Sequence, residues 1–464
     1  MIQERLRMAL EAVMVYRAGH YVSGLGVDLG SSSQSVMNCA LVSPTVLAGW
    51  AETWQRRSKL NLMGRNQFNV TERYRVSCDI MMPCQLNHAS FLALVSAAPG
   101  NPKVLTFPVT KHHENSKFAQ HHLLHNSRPD PLVITNQFTY YSINVGLGTP
   151  IQNFQLLLDT GSSDLWVYNV TDTADCAYQA CQQTGQFDKS KSSTYHSLDE
   201  DYFIQYVLGN ATGYWGTDTL SAGSVTLPNF QFACADNAEG QTGILGVSVA
   251  GSESLHKGQK PYANFPLALQ NAGYIDRRVY SLYLDQNDAT NGTFLLGGVD
   301  YAKFNGSLTV LPLATPNAFF VDYKSIAFDG EQVAEAGAAV LDSGTSFTYI
   351  PDAAYQKIAK KLNIGDNTFF GMTTVDCNKD FELEFNFDGV TIKALKEQML
   401  IPSGLGDCFF GLQSNTLSQN ITLFGDTFLR NAYVAYDLED SQIGLAQAVY
   451  TDKTDIRPIT GPLK

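Results

Sequence analysis

The chain has 464 residues, 44% of them hydrophobic, and 31 Lys and Arg against 44 Asp and Glu leave a net charge of −13. That length outgrows one ordinary core and implies two lobes plus accessory segments. The acidic balance argues against nucleic-acid binding, which needs basic patches, and no stretch approaches the roughly 20 consecutive apolar residues that a membrane span requires.

Residues 1–80 carry eight of the thirteen arginines, show no sustained periodicity and are left unassigned, as a disordered or mis-joined N-terminal extension. Asp28 in "VDLGSSSQS" is set aside because no apolar strand follows it. Residues 81–98 read as an export signal: a short apolar core, Phe91 to Val95, precedes the small residues Ser96, Ala97 and Ala98. A basic leader is missing, so translation from Met81 or Met82 is one resolution and a short buried segment the alternative. Residues 99–130 are basic and hold five of the nine histidines, which suits a detachable segment laid across an acidic body.

From about Pro131 the texture changes to short Val, Ile, Leu, Phe, Tyr and Thr runs broken by Gly, Asn and Asp, such as "FTYYSINVG", "FQLLLD", "FELEFNFDGVTI" and "AYVAYDL". Such spacing predicts an antiparallel β protein with few helices. Short helices are expected around 263–272 and 352–363, the second with Pro351 and Asp352 at its start.

The chain also repeats itself. "LLLDTGSSDLWV" at 156–167 returns as "AVLDSGTSFTYI" at 339–350, placing Asp342 183 positions after Asp159. Each copy is followed by an apolar-apolar-Gly stretch, "TGILGV" at 242–247 and "TLFGDT" at 422–427. An Asp between an apolar strand and Thr/Ser-Gly can be held at a tight turn by neighbouring amides and hydroxyls. Two such turns related by a pseudo-twofold axis face their carboxylates at each other. Like charges that close share a proton, so one carboxyl can polarise a carbonyl while the other takes a proton from water.

Eight cysteines include two local pairs able to close small loops, Cys176 with Cys181 and Cys377 with Cys408. Neither has the spacing of a zinc site. Five sequons begin at Asn169, Asn210, Asn291, Asn305 and Asn420. Cysteine pairs and sequons together favour an oxidising, secretory compartment. His121 and His125 stand at i, i+4 but lack the glutamate and third ligand of a metal site, so no metal and no cofactor is expected.

Over roughly residues 131–450 the sequence resembles the pepsin-like aspartic endopeptidases, the family of pepsins and cathepsin D. The motifs that carry the resemblance occur in order: "LLLDTGSSDLWV", "FIQYVLGNATGYWGTDTL", "TGILG", "TFLLGGVD", "VLDSGTSFTYIP" and "LFGDTFLRNAYVAYDLEDSQIGLA". The resemblance implies a mainly β, bilobal fold: two pseudo-twofold-related β-barrel lobes, 131–300 and 301–450, with a cleft between and a tail at 451–464. It makes Asp159 and Asp342 the catalytic pair, supported by Thr160, Gly161, Ser162, Ser343, Gly344 and Thr345. Tyr206 becomes the tyrosine of a mobile flap with Trp166 beneath it, and the two cysteine pairs become disulfides, leaving Cys234 a buried thiol. Residues 99–130 become an inhibitory pro-segment in which Lys111 or Lys117 reaches the carboxylates at neutral pH, released as acid charges His112, His113, His121, His122 and His125.

Two departures stand out. The flap reads Tyr206-Val207-Leu208-Gly209 where relatives have Tyr-Gly-Thr-Gly, and the segment before Gly243 is short, with Thr242 in place of Asp. The expected function is a monomeric, secreted or lysosome-like endopeptidase. It would hydrolyse proteins or peptides at acidic pH with hydrophobic preference around the scissile bond, inhibited by its own pro-segment. A catalytically impaired relative kept as a peptide- or protein-binding module is the alternative, and a structural β glycoprotein a third.

Overall fold

The computed structural model describes residues 26–27, 37–38, 103–113, 139–170, 184–207, 209–239, 242–315, 318–364, 368–369, 372–403 and 406–464. The chain divides into two units, 1–100 and 101–464. In the first, Gly26–Val27 pairs antiparallel with Met37–Asn38; the export-signal reading of 81–98 lies outside the described residues. Everything below concerns the second unit.

The first strand, β1 (Leu105–His113), is followed by β2 (Thr139–Leu147), β3 (Gln152–Asp159) and β4 (Leu165–Asn169). A long hairpin comes next, β5 (His196–Gln205) and β6 (Asn210–Ala222), then β7 (Val225–Ala238) and the short β8 (Ile244–Gly246). The three leucines of β3 do not alternate in burial because both faces of the strand are covered. Leu156 and Leu158 enter the main apolar core, while Leu157 enters a second cluster with Trp166, Trp215 and Ile244. Each such burial stabilises by roughly 1.5–3 kcal/mol, so the strand that ends at Asp159 is anchored from both sides.

Helix α1 (Phe265–Asn271) is capped by the Asn264 side chain, which accepts from Leu267 N at 3.4 Å. Then come β9 (Val279–Tyr283), β10 (Asn291–Leu296) and β11 (Thr309–Thr315). The second lobe supplies β12 (Gly337–Leu341), β13 (Thr348–Ile350), α2 (Asp352–Leu362), β14 (Leu423–Phe424), β15 (Ala432–Asp437) and β16 (Gln442–Gln447). Helix α2 starts after Pro351, whose fixed φ suits a helix start, and ends at Asn363 with φ 52°, a left-handed value that asparagine tolerates.

The duplication read from the sequence is a duplication of topology. In the first lobe β8 lies parallel to β3, with Gly246 opposite Asp159, and antiparallel to β4. In the second, β14 lies parallel to β12 and antiparallel to β13. Each apolar-apolar-Gly stretch is thus the strand threaded between the two arms of an Asp turn.

A sheet joins the lobes. Its order is β1, β10, β9, β15, β16, β11, with β1 also pairing β2. The boundary expected at 300/301 therefore runs through a shared sheet rather than a linker. One further reading needs revision. Residues 105–113 lie in this sheet instead of across the surface, because Phe107 and Val109 alternate into the core. The tail, residues 451–464, is tied to the body: Ile456–Pro458 pairs with Gly298–Asp300 and Leu463 is buried.

Candidate active site

Asp159 and Asp342 end β3 and follow β12, and both are buried, 4% and 9% exposed. Their surroundings mirror each other. Asp159 Oδ1 accepts from Gly161 N at 2.7 Å and Oδ2 from Ser162 Oγ at 2.5 Å. Asp342 Oδ1 accepts from Gly344 N at 2.8 Å and Oδ2 from Thr345 Oγ1 at 2.6 Å. The glycines are required by closeness: a Cβ on Gly161 would lie 2.8 Å from Asp342 Oδ1, and one on Gly344 would lie 2.5 Å from Asp159 Oδ1.

The middle residue of each turn ties the two lobes together. Thr160 Oγ1 donates to Leu341 O at 2.8 Å and accepts from Ser343 N at 3.0 Å. Ser343 Oγ donates to Leu158 O at 2.7 Å and accepts from Thr160 N at 3.2 Å. A serine serves as well as a threonine there because only the hydroxyl is used. Burial, and after it the charge of Asp342, pushes the Asp159 carboxyl well above the usual carboxylate range, against the lowering effect of Ser162 and Gly161. Like carboxyls held this close in a buried site disfavour carrying two charges at once.

The hairpin β5–β6 arches over the pair. Its turn is closed by Tyr206 N donating to Gly209 O at 3.0 Å, with Gly209 at φ +84°, where a glycine costs nothing. Trp166 Nε1 donates to Tyr206 OH at 2.8 Å. Between the lobes lies a cavity of about 410 Å³, walled by Leu157, Ile204 and Ile244 on one side and Phe320, Val340 and Leu423 on the other. Thr242 keeps the shortened segment in place without the aspartate: its hydroxyl donates to Gln155 O at 2.5 Å.

Sequence reasoning missed Asp164, although it sits in the first Asp motif. It is fully buried, accepts from Tyr262 OH at 2.6 Å and Ser254 N at 2.9 Å, and burial raises its carboxyl. It thereby pins the 254–262 segment beside the cleft, where Ser252 and Ser254 line the wall. Its motif position was visible; its partners were not.

Lys111 does not meet the carboxylates. Strand β1 carries it to Asn287, whose backbone and side-chain oxygens accept from Nζ, and burial, then Arg430, lowers its pKa to about 7. His112 stacks on Tyr140 at 4.7 Å and shares a 2.7 Å hydrogen bond with Ser142 Oγ; burial lowers its pKa, so it resists the charging expected of it. Lys117, His121, His122, His125, Cys176 and Cys181 lie outside the described residues. Cys377 and Cys408 form a disulfide, and Cys234 is a buried free thiol. Among the sequon asparagines, Asn291, Asn305 and Asn420 are exposed. Asn169 is buried, with Nδ2 donating to Asp236 Oδ1 at 2.7 Å, and Asn210 Nδ2 donates to Glu239 Oε1 at 3.3 Å.

Known proteins resemble this chain in sequence and in fold. Residues 140–448 match the eukaryotic aspartyl protease family. The chain is 33% identical over 364 residues to candidapepsin of Candida tropicalis, covering 76% of this chain and 90% of that protein. It is 34% identical over 330 residues to secreted aspartic protease 8 of Candida albicans, covering 70% and 79%. The crystal structure of an aspartic proteinase from Irpex lacteus superposes with a TM-score of 0.59 at 21% identity, covering 75% of this chain and 98% of that one, a likeness of fold. The bilobal fold expected from the sequence is the fold observed, and the chain belongs to the eukaryotic aspartyl protease family, as an aspartic-type endopeptidase.

Proposed function

We propose that the protein is a secreted endopeptidase that works at acidic pH with Asp159 and Asp342 as its catalytic pair. The observation that carries this is the reciprocal set of hydrogen bonds holding two buried carboxyls side by side. The ionised member takes a proton from a water placed between the pair, and the resulting hydroxide adds to the peptide carbonyl. The protonated member donates to the carbonyl oxygen, giving a tetrahedral diol. Collapse of the diol breaks the C–N bond, the amine leaves with a proton, and the pair regains its single shared proton. The hydrogen bond from Trp166 orients Tyr206 as the hairpin closes and excludes water.

The apolar cleft walls support a preference for hydrophobic side chains around the scissile bond. Secretion is supported by the printed name of the Candida albicans relative, by the Cys377–Cys408 disulfide and by the exposed sequons. Residues 99–130 act as a removable pro-segment; its strand 105–113 is held by pairing, and Lys111 is held by Asn287 instead of the carboxylates. Cleavage of denatured protein between about pH 3 and 5, sensitive to pepstatin, is expected to fall by at least about 10³-fold in Asp159→Asn and Asp342→Asn. Correctly folded, processed protein with no such cleavage would make the peptide-binding alternative the better reading. N-terminal sequencing of secreted material should find ends near residues 98 and 130, and retention of Met1 would refute export by this route.

A further inference from the structure

Val207 follows Tyr206 at the flap turn, and its side chain is half-buried. It packs against an apolar cluster of the second lobe made of Val340, Phe347, Tyr349, Ile401, Phe409 and Leu423. Its carbonyl oxygen accepts from Gln419 Nε2 at 3.0 Å, and Gln419 stands in a left-handed conformation, φ 55°, at the end of the Asn415–Ser418 turn. Val340 is two residues before Asp342, and Leu423 pairs with it across the sheet. Both line the cleft, together with Tyr349, Phe320 and Ile421. The surface that Val207 covers is therefore part of the wall over which a substrate side chain must lie.

Resting on the catalytic reading above, we propose that Val207 is a specificity-determining residue: in the closed flap it fills part of the second-lobe subsite, so that subsite accepts small side chains and large ones must expel it. The preference for large hydrophobic side chains is thereby confined to the other side of the scissile bond. A substrate with Gly or Ala at that position leaves Val207 in its apolar seat. A Leu or Phe there needs the same volume and meets close-packed carbon. The usual glycine at this flap position would leave the subsite open, so the Val207 departure changes what the cleft selects as well as how the turn bends.

The test is a peptide series in which each residue flanking the scissile bond is varied in turn among Gly, Ala, Leu and Phe, with kcat/KM measured for wild type, Val207→Ala, Val207→Gly and Gln419→Ala. A change of one methylene in an apolar pocket alters kcat/KM by about 10–200-fold. At one flanking position Val207→Ala is expected to raise the Phe-to-Ala ratio by about 10-fold, through both KM and kcat, while the Ala peptide changes by less than about 3-fold. Val207→Ala keeps a Cβ, so it separates the filled subsite from the backbone freedom that only Val207→Gly adds. Gln419→Ala should move the ratio in the same direction by less. If every peptide shifts by one common factor, or the ratio stays put at both positions, Val207 does not gate the subsite. If wild type cleaves none of the series, the catalytic proposal falls and takes this one with it.

Discussion

Gly344 leaves so little room beside Asp159 that one added methyl must displace the carboxyl it was meant to accommodate. Gly344→Ala is expected to lose at least about 10²-fold in kcat, since a displacement near 1 Å costs that much, with the overall fold retained by circular dichroism. Ser343→Ala would orphan the buried Thr160 amide and one acceptor on Leu158. A loss of about 1–3 kcal/mol should follow, read from the urea midpoint at unchanged slope. The carboxylate pair and its hydroxyl partners were legible in the sequence because the motif occurs twice, and a repeat supplies its own mate. Asp164 had no such mate: Tyr262 is 98 positions away and nothing in either segment announces the other. Lys111 shows the converse, since its charge was visible but the strand register that takes it to Asn287 was not.

At its turn the flap hairpin is tied to the first lobe by an indole hydrogen bond, Trp166 to Tyr206. Trp166→Phe removes that donor while keeping most of the packing. At a net worth near 1–1.5 kcal/mol, kcat/KM should fall by about tenfold, while the cavity left in the cluster lowers the thermal midpoint. In the second lobe the Cys377–Cys408 bond closes a loop with a sequence separation of 31. Cys408→Ser is expected to cost about 2–4 kcal/mol, measured by denaturant unfolding without reductant. Short strands and the two longer helices were readable locally, from β-branched and aromatic runs and from Pro351-Asp352, whereas the one-turn helices Lys396–Met399 and Asp426–Leu429 were not. The sheet that joins the lobes was not, because β1 and β10 lie far apart in the chain and strand pairing leaves no mark on either sequence alone.

At the scale of the molecule, buried carboxyls set the pH response. Burial is the leading cause that raises Asp159, Asp164, Glu253, Asp426 and Asp437. The folded state therefore keeps protons that the unfolded chain gives up above its ordinary carboxylate range, near pH 4. That contribution is complete below the unfolded values and is lost as pH rises through the raised folded ones. The lowered His112 acts oppositely, favouring the fold as pH rises through its titration. Lys111 does so only between about 7 and 10.5, where the unfolded chain alone holds the proton. The carboxyls of Asp188, Glu331, Asp407 and Asp455, lowered by Ser190, Lys361, Ser403 and Arg457, also favour the fold as pH rises, but near and below the ordinary carboxylate range and at solvent-screened positions. The five raised carboxyls therefore dominate between pH 4 and 7.5: calorimetry should show a higher melting temperature at pH 4 than at pH 7.5, and Asp426→Asn should shrink the difference.

Strand β1 has one further consequence, for how maturation would be seen on a gel. It is hydrogen-bonded along one edge to Asn291–Leu296 and at its far end to β2, with Phe107 and Val109 seated in the core. A protease nick anywhere between residues 113 and 139 would sever the polypeptide yet leave this piece in place like a dowel. Denaturing electrophoresis would report two fragments where native mass spectrometry still weighs one particle, and counting cut chains would overstate how many molecules have shed their leading segment.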